Sequence, residues 1–179
     1  MDRNYKDLVM FGKGLLIGIL GCVIGASILF FIDTEISVTE KVTLEKSSFY
    51  ILDEIIDLKK FQEWDPRAVK DSSITVEFIG SPGLGMKAIT KGKKGVFINE
   101  YEVINIKPLE SVEIILRLKG DNELVYNFEI TDLEKGSELI WKVNFKAPLF
   151  VSLVGVEEKI QTEFKKGFEV LKERLKPIN

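Results

Sequence analysis

The chain has 179 residues, which suits one ordinary domain plus a short extra segment. Its net charge of −3 argues against a nucleic-acid partner, because phosphate recognition needs clustered Lys and Arg. Histidine is absent and Cys22 is the only cysteine, which excludes a disulfide framework, a Cys-based metal site and the usual His-activated nucleophiles.

The first element is apolar. From Gly14 to Ile32 (GLLIGILGCVIGASILFFI) there is no charged residue. As a helix rising about 1.5 Å per residue, this run just reaches across a hydrocarbon core of about 30 Å. It is longer than the apolar region of a signal peptide, and no A-x-A-like cleavage site follows. Ile19-Leu20-Gly21-Cys22 loosely resembles a lipobox, but the residues after Cys22 stay apolar. Residues 1–33 are therefore expected to form one N-terminal transmembrane helix, a membrane anchor. Arg3, Lys6 and Lys13 precede the run, and Asp33, Glu35 and Glu40 follow it. The positive-inside rule then places the N-terminus in the cytoplasm and the domain outside, in a single-pass membrane protein. Gly14/Gly18 and Gly21/Gly25 have small-xxx-small spacing, which permits a homodimer through the span.

Residues 34–179 form the second expected unit. Alternation over 36–46 marks a strand. Ser47 or Ser48 then caps a helix over 49–58, and a short second helix over 59–64 ends before Pro66. Six strand runs follow, 73–79, 86–91, 96–106, 112–119, 123–133 and 138–146, separated by Gly-, Asn- and Pro-containing turns. Lys87, Lys91, Lys93 and Lys94 cluster about one of these turns and read as a solvated hairpin tip. The chain closes on a helix expected to run unbroken over 148–175, with Phe150, Leu153, Val154, Ile160, Phe164, Phe168, Leu171 and Leu175 on one apolar stripe.

This order predicts an α+β fold in which a curved antiparallel meander wraps around a long C-terminal helix. A sheet curled about a single helix invites an internal space. Period-two alternation sorts Val76, Phe78, Thr90, Asn99, Tyr101, Ile114, Leu116, Tyr126, Phe128 and Trp141 to the inner face. With Trp64, Phe164 and Phe168 they form the candidate ligand-binding set of an apolar cavity. A few polar groups in an apolar lining are the ordinary anatomy of a ligand site; the alternative is that the same rings simply fill the core. No carboxylate or lysine is assigned to this face, so no catalytic residue, metal ligand or cofactor is expected. Glu63 and Asp65 flank Trp64 and read as a charged helix-ending loop.

Three local motifs carry a family resemblance: Phe61-Gln62-Glu63-Trp64-Asp65-Pro66, Gly83-Leu84-Gly85-Met86-Lys87, and the closing Phe164-Lys165-Lys166-Gly167-Phe168-Glu169-Val170-Leu171-Lys172. In order and spacing, residues 36–175 resemble the helix-grip fold of the SRPBCC/START-like superfamily, in particular its polyketide cyclase/dehydrase and lipid transport subgroup. The resemblance implies a cavity for a lipid or other hydrophobic small molecule as partner, here beside a membrane. It does not imply one chemistry. A polyketide cyclase/dehydratase-like enzyme using Tyr101, Tyr126 or Asn99, and an interaction module without a ligand, are the competing readings.

Overall fold

From Asp33 onward, the described residues form seven strands and four helices. The structure, a computed structural model, describes residues 18–22, 25, 27, 32–67, 73–93, 96–120 and 122–176. Strand β1 is Asp33–Leu44, helix α1 Ser48–Ile56, helix α2 Leu58–Trp64, β2 Thr75–Ile79, β3 Lys87–Lys91, β4 Phe97–Lys107, β5 Ser111–Leu118, β6 Asn122–Asp132, β7 Ser137–Pro148, α3 Leu149–Leu153 and α4 Val156–Arg174. The strands form one sheet in the order β1-β7-β6-β5-β4-β3-β2. From β2 to β7 every neighbouring pair is antiparallel and consecutive in sequence, as short turns require.

Two units divide the chain: residues 1–35 with 146–156, and residues 36–145 with 157–179. In the first unit the Leu149 N–H donates to the Ile32 carbonyl at 2.7 Å, and residues 18–22, 25 and 27 are helical. The expected membrane span requires correction. Among the described residues no helix is long and apolar enough to cross a membrane, since a span takes about 20 apolar residues in succession. The single-pass localisation and its orientation fall with it. The remainder of 14–31, with Gly14 of the proposed pairing motif, lies outside the described residues.

In the second unit, register sets the inner face. Phe128 lies opposite Trp141, Tyr126 opposite Val143 and Ile114, and Tyr101 opposite Leu116 and Ala88. All of these are at most 2% exposed. Pairing between β4 and β5 slips between Val103 and Asn105, which brings Ile106 and not Asn105 opposite the buried Val112. The outer face carries charge: Arg117 binds Glu100, Glu102 and Glu123, and Lys87 binds Glu100 and Glu102.

The closing helix is not continuous. Gly155 has φ +76, a conformation that side-chain-bearing residues rarely adopt. Its N–H donates to the Ser152 carbonyl, and the Val154 N–H to the Phe150 carbonyl, so α3 ends there and α4 begins afresh. Leu153 and Val154, expected on the buried stripe, are 66% and 75% exposed. The stripe holds farther on, where Phe164, Gly167, Phe168 and Leu171 are buried.

Candidate functional site

The Phe-x-x-Trp spacing on α2 places Phe61 and Trp64 on one side of a short helix, and both are buried. Phe61 stands edge-on to Trp64, Tyr101, Phe128 and Trp141 at centroid distances of 4.8–6.2 Å. From the opposite side α4 lays Phe164 flat on Trp141, centroids 4.0 Å apart and planes 11° from parallel. Tyr126 is edge-on to both Trp141 and Phe164. Such pairs contribute about 0.5–1.5 kcal/mol each beyond the area they bury.

Gly167 is what allows the helix so near. A Cβ there would lie 3.0 Å from Pro66 Cδ and 3.3 Å from both the Trp64 carbonyl oxygen and the Trp141 ring. The glycine of the closing-helix motif thus has a packing cause.

The interior is not free of charge, contrary to expectation. Asp65 follows Trp64 in extended backbone, and its carboxylate is fully buried. One oxygen accepts the Tyr101 hydroxyl at 2.6 Å, and the other accepts the Arg67 N–H at 3.1 Å. The Tyr101 phenol is pushed well above its ordinary pKa, first by burial and then by the Asp65 charge. It therefore stays a donor at neutral pH.

Arg67 lies across the rings. Its guanidinium carbon is 4.4 Å from the Tyr126 ring centre, 5.7 Å from Trp141 and 5.9 Å from Phe164. Its Nε stands 3.6 Å from Asp65 and 4.0 Å from Glu163, near enough for ion pairing but too far for hydrogen bonds. Several buried polar atoms here have no hydrogen-bond partner: Arg67 Nε and Nη2, the Tyr126 hydroxyl, Trp141 Nε1 and Asn99 Oδ1. Trp64 differs, its indole N–H donating to the Glu54 carbonyl at 3.2 Å.

Of the candidate set, Trp64, Thr90, Asn99, Tyr101, Ile114, Leu116, Tyr126, Phe128, Trp141, Phe164 and Phe168 are all buried on the inner face or against it. Rings of Trp64, Tyr101, Tyr126, Phe128, Trp141, Phe164 and Phe168 join one cluster. Val76 and Phe78, on the edge strand β2, are only half-buried, and Phe78 lies beneath the Lys59 ammonium. Phe61, Asp65 and Arg67 were missed. The three-residue step from Phe61 to Trp64 was available as a signal. The inward turn of Asp65 and Arg67 was not, since alternation does not reach a loop. Glu63 does stay outside, paired with Arg174.

A surface crease adjoins the rings at Phe168. The crease, of about 280 Å³ between β1 and α4, is lined by Glu40, Lys41, Val42, Lys165, Phe168, Glu169 and Lys172, with Lys165 paired to Glu40 across it. Among the described residues no group of three or more Cys, Asp or Glu side chains could hold a metal ion.

No protein-family model matches the chain, and no curated protein matches it. Solved structures do. A truncated norcoclaurine synthase from Thalictrum flavum has TM-score 0.61 at 12% identity, covering 82% of this chain and 97% of that one. Protein SA2116 of unknown function from Staphylococcus aureus has TM-score 0.61 at 11% identity, covering 79% and 96%. Protein CV1439 from Chromobacterium violaceum has TM-score 0.57 at 12% identity, covering 79% and 98%. At such identities the likeness shows the fold alone, a helix-grip arrangement of curved antiparallel sheet and C-terminal helix.

Proposed function

We propose that this domain binds a lipid or other apolar small molecule among its inner-face rings. One observation carries the reading: Arg67, Tyr126 and Trp141 each hold unpaired polar atoms, and their guanidinium and ring centres stand 4.4–5.7 Å apart in an otherwise aromatic interior. A buried polar group without a partner costs about 1–3 kcal/mol, and native interiors keep few of them. A bound molecule that supplied the missing partners would recover part of that cost. The helix-grip fold supports the same reading, since its single helix and curved sheet leave the inner-face rings as the natural place for a ligand.

A catalytic role for Tyr101 is disfavoured by the same geometry. Its hydroxyl is committed to Asp65, and burial holds it protonated. The neighbour named a synthase shares the fold at 12% identity, which transfers no chemistry.

Thermal unfolding of the full chain against a panel of fatty acids, sterols and polycyclic aromatics tests the proposal. A ligand at about 100 times its Kd adds about 2.7 kcal/mol of stability, a shift of several degrees. A panel in which no compound raises the midpoint would refute uptake of apolar molecules.

A further inference from the structure

We propose that the molecule taken up is electrically neutral and carries a carbonyl-type oxygen, seated against Arg67, Tyr126 and Trp141; this deepens the ligand-binding reading above and rests on it. The inventory of unpaired atoms sets the polarity. Arg67 Nε and Nη2 and Trp141 Nε1 can only donate, and the Tyr126 hydroxyl can donate or accept. Gln62 Nε2 is a further unpaired donor, and among the described residues Asn99 Oδ1, on β4, is the one unpaired buried side-chain atom that can only accept. A ligand that answers this set is an acceptor of hydrogen bonds at its polar end.

Charge decides between a neutral acceptor and a carboxylate. Around the guanidinium stand two carboxylates, Asp65 at 3.6 Å and Glu163 at 4.0 Å, against one positive group. Asp65 is fully buried and Glu163 is 28% exposed, so water screens the first hardly at all. An anionic ligand would add a third negative charge to a site already short of positive ones. A ketone, ester or amide oxygen accepts the same hydrogen bonds without that repulsion. Shape points to a flat apolar body, because the guanidinium is flanked by the Tyr126, Trp141 and Phe164 rings. The Arg67 side chain is 21% exposed, while its unpaired Nε and Nη2 are themselves buried.

Three compounds of one shape separate the terms: acetonaphthone (neutral acceptor), naphthoate (anion) and ethylnaphthalene (no acceptor). Their affinities for the full chain are read by calorimetric or fluorescence titration at neutral pH. Two hydrogen bonds recovered imply that acetonaphthone binds about tenfold or more tighter than ethylnaphthalene, and naphthoate no tighter than ethylnaphthalene. Tyr126→Phe removes a hydroxyl that has no partner, so the variant keeps its fold. In it, and in Arg67→Met, the acetonaphthone preference over ethylnaphthalene shrinks severalfold. Should Arg67→Met fail to fold, Tyr126→Phe and the parent chain decide. Equal binding of acetonaphthone and ethylnaphthalene would overturn the acceptor assignment and leave apolar uptake standing. Tightest binding by naphthoate would overturn the charge argument. Binding by none of the three would also overturn the proposal, the broader panel then deciding the ligand-binding reading.

Discussion

Asp65 is the residue on which the interior turns. A buried carboxylate is tolerated only when its oxygens are met by donors, and here Tyr101 and the Arg67 backbone meet them. Tyr101→Phe leaves one oxygen without its donor inside the ring cluster, at a cost of about 1–3 kcal/mol. Urea denaturation of the variant at neutral pH is expected to show that loss as a lower midpoint with unchanged slope; an unchanged midpoint would mean that the bond contributes nothing net. The residues Phe61, Asp65 and Arg67 also mark where sequence reading stops. Alternation assigned Tyr126, Phe128 and Trp141 inward correctly because strand geometry leaves no choice. Asp65 lies in a loop, where a charged residue is ordinarily solvated and only the tertiary fold turns it in.

At the scale of elements, several devices come from outside the element they serve. Helix α1 has Ser47 at its N-cap, but the serine side chain makes no capping bond. Asp132, at the end of β6, does this work instead, accepting from the Ser48 N–H, the Ser48 hydroxyl and the Ser137 hydroxyl. The Ser137 hydroxyl first, then the Ser48 groups, hold the Asp132 carboxyl below its ordinary pKa. A depressed folded-state pKa contributes stability that is present above the unfolded value, about 3.9 for Asp, and is lost as pH falls through the folded value. Asp132→Asn should therefore lower the urea midpoint at neutral pH, with the gap to the parent chain narrowing below about pH 4; a gap constant with pH would refute the assignment. The turn beside it is equally constrained. Gly136 has φ +89, and a Cβ there would fall 2.0 Å from the Leu44 carbonyl oxygen. The strands were legible because each is bounded by such turn residues. The break between α3 and α4 was not, since the apolar spacing runs on through Gly155 and a glycine inside a helical pattern is usually tolerated.

Taken whole, the second unit separates its chemistry by face. The outer face holds an ion-pair lattice centred on Arg117, in which Glu102 is kept below its ordinary pKa chiefly by its bond from Arg117. Exposed pairs of this kind contribute little individually. The inner face holds the rings, and among them the unpaired donors that make this interior a candidate binding site and not only a core. The fold as a whole was legible from the order of elements and from three short motifs, because a meander followed by one amphipathic helix has few ways to bury both apolar faces. The membrane span was an inference from hydropathy alone, and no described helix sustains it. The site can be questioned directly through its two tryptophans, the only ones in the chain. The Trp64 indole N–H is bonded to the Glu54 carbonyl, whereas that of Trp141 has no partner. In a nitrogen-edited NMR titration of the full chain with acetonaphthone, the Trp141 indole resonance is expected to move downfield and saturate, while the Trp64 resonance holds its position. Two indole resonances that stay unmoved, at acetonaphthone concentrations and for panel compounds alike, would contradict a ligand site in this interior.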